Sequence, residues 1–209
     1  MATDRTKPAD LGREQYFDRE PASPSDRQGV VLDLPDLRIA LTADRGTFSF
    51  SRVDTGTEVL LRLAPTPEIP GDLVDLGCGY GPIAIALAHR YRNRQVWAVD
   101  INRRALELAR ENAERAGLTN VRVAEPEQVG AEKIAAIYSN PPVRIGKEAM
   151  RRLLLKWLAR VADGGFAVWV VKKNLGADTL ADFLTEAGYP TTRVRSRQGY
   201  RVLLSRRAA

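Results

Sequence analysis

Apolar positions along the chain fall into two regimes. Up to about residue 65 they come in brief alternating stretches: Val30 to Leu34 and Leu37 to Thr42 flank Pro35-Asp36, a turn signal that predicts a hairpin. Beyond Gly46 and the Phe48-Ser49-Phe50 stretch, Val59, Leu60, Leu61 and Leu63 predict a helix that Thr57 can cap and Pro65 stops. From Asp72 onward short apolar runs alternate with amphipathic segments. Strands are expected at Leu73 to Leu76, Gln95 to Val99, Val121 to Ala124, Ile134 to Tyr138 and Phe166 to Val171. Helices are expected at Ile83 to Tyr91, Arg103 to Ala116 with Gly117 as its stop, and Met150 to Val161 before a Gly164-Gly165 turn. Such an order implies right-handed crossovers and a mostly parallel sheet covered on both faces. Thr192 to Ser196 and Tyr200 to Ser205 flank Gln198-Gly199 and predict a closing hairpin that adds an antiparallel strand.

The leader from Met1 to about Gln28 is polar, carries Pro8, Pro21 and Pro24, and offers only Tyr16 and Phe17 as anchors, so it reads as an arm. One structural domain is expected, in which residues 1–65 form an arm, hairpin and helix packed on a core of residues 66–209.

Charge narrows the partners. Against 26 acidic side chains stand 32 basic ones, a formal net charge of +6, and Arg193, Arg195, Arg197, Arg201, Arg206 and Arg207 crowd the C-terminal end. This balance suits a polyanion such as RNA, and a merely solvated basic edge accounts for it equally well. No apolar run is long enough to span a membrane and the first ten residues lack the apolar stretch of a signal peptide, so a cytoplasmic location is expected. A single cysteine, Cys78, excludes an internal disulfide, and a single histidine, His89, leaves no transition-metal cluster.

The first core strand runs directly into Asp75-Leu76-Gly77-Cys78-Gly79-Tyr80-Gly81, with Pro82 opening the helix. Glycines spaced by two let the backbone turn sharply and approach a ligand closely, and proline at the first helical turn forfeits no needed donor. Dinucleotide loops place their third glycine three residues after the second; here it comes two after. The next strand ends at Asp100, 23 residues beyond Gly77, where a carboxylate can accept from both ribose hydroxyls of a nucleoside cofactor. Asn102 can cap the following helix or touch the ligand, and Glu125 or Glu127, around Pro126, can meet an adenine edge.

Ser139-Asn140-Pro141-Pro142-Val143 follows the fourth core strand. An aromatic amine is a poor nucleophile because its lone pair is delocalised into the ring. Two acceptors, the Asn140 side-chain oxygen and the Pro141 carbonyl, can draw such an NH2 toward tetrahedral geometry, and the stiff, donor-free prolines hold those oxygens in place. A plain strand-terminating turn is the competing reading.

With Gly46-Thr47-Phe48-Ser49, Asp54-Thr55-Gly56-Thr57, Val99-Asp100-Ile101-Asn102, Arg144-Ile145-Gly146-Lys147 and Gly199-Tyr200-Arg201-Val202, these motifs make the chain resemble, from Tyr16 to Leu204, the small-domain methyltransferases related to bacterial small-subunit ribosomal RNA guanine-N2 methyltransferases. The resemblance implies a Rossmann-like α/β fold with a seven-stranded, mostly parallel sheet and a C-terminal antiparallel hairpin, behind an N-terminal strand and helix extension. It also implies S-adenosyl-L-methionine as methyl donor. Cofactor contacts are then expected from Asp75, Gly77, Cys78, Gly79, Gly81, Asp100, Ile101, Glu125 and Asn140, with Phe48 and the segment from Asp54 to Thr57 lying over the cofactor. Asn140, Pro141 and Pro142 are the expected catalytic set, and Val143, Arg144 and Lys147 the expected substrate contacts. Relatives that methylate adenine or glutamine carry an aromatic residue after the prolines; Val143 cannot stack, which favours guanine in ribosomal RNA. Methylation of a protein glutamine and a non-catalytic module that binds RNA and cofactor are the alternatives.

Overall fold

A computed structural model describes residues 23–130, 133–142 and 145–207. The arm with Tyr16 and Phe17, and Val143 and Arg144 of the expected substrate contacts, lie outside the described residues. The chain forms β1 (Arg27–Leu34), β2 (Leu37–Asp44), α1 (Thr55–Leu63), β3 (Asp72–Leu76), α2 (Pro82–Arg90), β4 (Val96–Val99), α3 (Arg103–Arg115), β5 (Val121–Ala124) and β6 (Ile134–Ser139). α4 (Lys147–Leu158), β7 (Val161–Lys172), a single 3-10 turn at Lys173–Leu175, α5 (Ala177–Glu186), β8 (Thr191–Arg197) and β9 (Tyr200–Arg206) complete it.

β1 and β2 pair as the expected antiparallel hairpin, closed by Leu34 opposite Leu37. The other seven strands form one sheet in the order β5-β4-β3-β6-β7-β9-β8. β3, β4, β5, β6 and β7 run parallel, and β9 is inserted antiparallel between β7 and β8. The central strands read as continuous apolar runs because both faces are covered: Leu73, Val74, Val96, Val99, Ala136 and Ile137 are wholly buried. One apolar core, beneath the hairpin, α1, α2 and α3, gathers Leu32, Leu60, Leu73, Ile85 and Leu108. On the opposite face, beneath α4 and α5, Val74, Ile137, Leu154, Trp157, Trp169 and Leu184 pack together.

Two expectations are corrected and one element is added. Asp54, not Thr57, caps α1: its carboxylate accepts from the backbone N–H of Gly56 and Thr57, which places Thr57 inside the first turn. Asp outranks Thr at this position, and a residue inside the turn cannot also stand before it. Gly164-Gly165 is not a turn between helix and strand but a kink inside β7, where β6 pairs with Val161 at Ile134 and with Phe166 only two residues later, at Ala136. A side chain at Gly165 would stand 2.6 Å from the Ala135 carbonyl oxygen, so only glycine lets the two backbones approach there. α5, which the pattern leaves unassigned, covers the sheet with Ala177, Leu180 and Leu184.

Besides its apolar face, the hairpin is tied to the core by a buried polar side chain. Asn112 of α3 accepts from the Thr42 N–H at 2.8 Å and donates to the Thr42 carbonyl at 2.8 Å and the Tyr80 carbonyl at 2.9 Å. No helix among the described residues is long and apolar enough to cross a membrane.

Candidate active site

Strand order reverses between β3 and β6: from β3 the chain proceeds outward through β4 and β5, then returns to β6 on the other side. At such a switch point the two strand tips diverge and leave a crevice. The tip of β3 carries the glycine loop and the tip of β6 carries Asn140-Pro141-Pro142, so two motifs 63 residues apart become neighbours. The tips are tied together, since Ser139 donates its hydroxyl to the Leu76 carbonyl at 2.6 Å.

A cavity of about 630 Å³ opens there. One half is bounded by Gly46, Phe48, Gly77, Gly79, Asp100 and Ile101. The other is bounded by Asp54, Asn140, Pro141, Pro142, Leu153, Val171 and Tyr200. In the first half the glycine loop turns through left-handed backbone at Gly77, Gly79 and Gly81. At Gly79 the space a Cβ would occupy is open, so bare backbone faces the cavity; at Gly81 a Cβ would stand 3.2 Å from that of Ala109, so this glycine serves the packing of α2 on α3.

Asp100 organises this half. One carboxylate oxygen accepts from the Gly79 N–H at 2.9 Å, and the other from the Ile101 and Asn102 N–H at 2.8 and 3.0 Å. Burial raises its pKa, against the three N–H groups that lower it. Asn102 caps α3, accepting from the Ala105 N–H at 3.1 Å, and also donates to the Gly46 carbonyl at 3.0 Å. It therefore pins the segment bearing Phe48 beside Asp100, and it lines the cavity as well.

In the second half Asn140 is held by two partners. Its side-chain nitrogen donates to Asp54 at 2.9 Å and to the Thr57 hydroxyl at 3.2 Å. Around it the walls are apolar, broken by the Tyr200 ring and by the Lys172 ammonium 5.4 Å from that ring's centre.

The structure thus brings Phe48, Gly77, Gly79, Asp100, Ile101, Asn140, Pro141 and Pro142 to one cavity. Other expected contacts stand elsewhere. Asp75 is wholly buried beneath the loop, where one oxygen accepts from the Ala84 N–H at 2.9 Å and the other has no partner among the described residues. Burial drives its pKa well upward, and the Asp100 charge adds to the rise. Cys78 is buried beside it, its thiol also pushed up by burial, so it is no thiolate nucleophile. Thr57 lies behind Asn140 rather than over the cavity, and Glu125 faces Arg103 at 3.8 Å while its neighbour Pro126 lines the wall. Lys147 is exposed at the start of α4 and is not among the lining residues. Asp54, Ser139 and Tyr200 carried a signal only as members of motifs, and the bonds of Asp54 to Asn140 and of Ser139 to Leu76 were not foreseen.

A sequence model of the methyltransferase small domain matches residues 38–204. The chain belongs to the methyltransferase small-domain family. Within it, the chain is 32% identical over 198 residues to an uncharacterised protein, YbxB, of Bacillus subtilis, covering 93% of this chain and 98% of that one. It is 33% identical over 151 residues to ribosomal RNA small subunit methyltransferase C of Aeromonas hydrophila, covering 72% of this chain and 41% of the relative, so it spans less than half of that protein. Among solved structures, the T. thermophilus 16S rRNA N2 G1207 methyltransferase in complex with AdoMet and guanosine superposes with a TM-score of 0.73 at 20% identity, over 88% of this chain and 52% of that one. At that identity the likeness establishes the fold: the Rossmann-like methyltransferase sheet, with its terminal antiparallel hairpin.

Proposed function

We propose that this member of the family transfers a methyl group from S-adenosyl-L-methionine to the exocyclic N2 amine of a guanine in ribosomal RNA. One observation carries the reading: the Asn-Pro-Pro tip of β6 and the glycine loop with Asp100 open into the same cavity from adjacent strands. The cradle fits a nucleoside cofactor, because Gly79 presents bare backbone to open space and Asp100 lies beside it as an acceptor for ribose hydroxyls. When bound, the sulfonium nucleoside supplies an electrophilic methyl group.

The rest is positioning by this chain's own groups. Asn140 Oδ1 and the Pro141 carbonyl accept the two N–H bonds of the amine and turn its lone pair out of ring conjugation. A new C–N bond forms as the S–CH3 bond breaks, the sulfur keeps the bonding pair, and the proton of the alkylated nitrogen passes to water. The apolar second half of the cavity, with the Tyr200 ring in its wall, suits a flat base better than a flexible amide side chain. The +6 charge favours an RNA acceptor, and the likeness to ribosomal RNA small subunit methyltransferase C adds support.

Tritiated donor offered separately to ribosomal RNA, ribosomal subunits and peptide release factor tests the acceptor. Label in N2-methylguanosine after nuclease digestion is the expected result, and label in protein glutamine overturns it. Asn140→Ala is expected to lower turnover about a hundredfold or more. No product from the wild type with any acceptor, alongside intact cofactor and RNA binding, identifies a non-catalytic module instead.

A further inference from the structure

We propose that Asp54 is the positioning residue that decides which end of the Asn140 amide faces the acceptor, an inference that rests on the reading of Asn140 as the amine's hydrogen-bond partner. The two ends of a primary amide are nearly isosteric, and only their partners decide which points where. A carboxylate accepts and never donates when ionised, so the Asn140 atom facing it at 2.9 Å is the nitrogen. The second N–H of that nitrogen is directed at the Thr57 hydroxyl at 3.2 Å. Both donors are spent on Asp54 and Thr57, and what remains for an incoming group is Oδ1, an acceptor. The site therefore selects acceptors of methyl that bring N–H groups, and disfavours an otherwise identical base that lacks the amine.

Asp54 itself is held firmly enough to impose this choice. All its described hydrogen bonds fall on one oxygen, Oδ2, which accepts from the Gly56 N–H at 2.7 Å and the Thr57 N–H at 3.3 Å as well as from Asn140. It stands at the N-terminus of α1, where unpaired N–H groups and the helix dipole both favour a negative oxygen. The Tyr200 ring closes the remaining side: a Cβ added at Gly56 would lie 2.7 Å from both that ring and Asp54 Oδ2. One side chain thus serves as helix cap and as clamp on a residue 86 positions away.

Because the three contacts share one oxygen, an amide oxygen in the same place can replace it, whereas a serine hydroxyl reaches only the cap. The test compares Asp54→Ser, Asp54→Asn and Thr57→Val in 15N-labelled protein, with the Asn140 side-chain NH2 signals assigned by their loss in Asn140→Asp. In the wild type these protons exchange slowly with water. Asp54→Ser is expected to speed that exchange about tenfold or more and to cut turnover on ribosomal RNA about tenfold to a hundredfold, the scale of a small misplacement. S-adenosylmethionine affinity should stay within about threefold, and Asp54→Asn should restore both signals and rate. Thr57→Val, which leaves the cap untouched, is expected to free one of the two protons. Unchanged Asn140 signals in Asp54→Ser overturn the proposal whether or not ribosomal RNA is the acceptor. An Asp54→Asn variant as slow as Asp54→Ser overturns it too, because the carboxylate's charge, not its oxygen's position, would then be what matters. Slow exchange restored in Asp54→Asn with no activity in any variant leaves the clamp standing and removes only the ribosomal acceptor.

Discussion

Asp100 uses both carboxylate oxygens to order the glycine loop and the start of the α3 cap, and it faces the cavity as it does so. Asp100→Ala is therefore expected to weaken S-adenosylmethionine binding by about 1 to 3 kcal/mol, the range for leaving polar partners unpaired, as read by calorimetry; unaltered affinity refutes its role. Asp75 gives a prediction of a different kind. Its folded pKa lies above the unfolded value of about 3.9, so the stability it contributes is fully present below about pH 4 and is lost as pH rises through the folded value. Asp75→Asn, neutral at every pH, should gain on the wild type in urea unfolding between pH 4 and pH 8. A gap that stays constant across that range would mean the folded carboxyl ionises at the same pH as in the unfolded chain, so that burial does not raise its pKa. At this scale the sequence made the glycine loop, Asp100 and Asn140-Pro141-Pro142 legible, because each is a local motif at the end of an apolar run. The clamp on Asn140 and the tie from Ser139 to Leu76 were not, since they join positions 86 and 63 residues apart and leave no periodic trace.

Elements were legible where apolar spacing and stop signals agreed, as in β3 through α3, whose observed ends fall within one residue of those expected. They were lost where the signal was thin. α5 buries only Ala177, Leu180 and Leu184, spaced three and four apart over ten residues, a single amphipathic stripe without a side-chain cap, since Gly176 precedes it. Gly164-Gly165 misled for the opposite reason: a strong turn signal was overridden by pairing on both sides of the kink. The hairpin shows how one side chain seats an element. Asn112 supplies both hydrogen bonds to Thr42 and a third to the glycine loop from a buried position. Asn112→Ala is expected to cost about 2 to 4 kcal/mol in chemical denaturation, and cleavage by added protease should begin in the hairpin. Equal stability would place the hairpin's anchorage in its apolar face and its arginine contacts, such as Arg90 with Asp36, instead.

For the whole molecule, charge and topology meet at one edge. β8 is the last strand of the sheet and runs parallel to β7, so its C-terminal end lies at the same end of the sheet as the cavity. Arg193, Arg195 and Arg197 are exposed along it, and the Gln198-Gly199 turn beyond joins Lys172, Lys173 and Asn174 at a second, smaller hollow. Two physical accounts compete. Charged side chains blunt an open strand edge against pairing with other chains, which requires no ligand. Guanidinium groups exposed on the edge strand that ends beside the cavity also suit the phosphates flanking a base held inside it. Salt separates them. If the three arginines meet phosphates of single-stranded RNA, replacing all three with glutamine should reduce the slope of log affinity against log salt by about 2, from roughly 0.7 per contact, while unfolding stability changes little. If they only guard the edge, the slope stays as it is and the variant instead self-associates at high concentration, which sedimentation would detect.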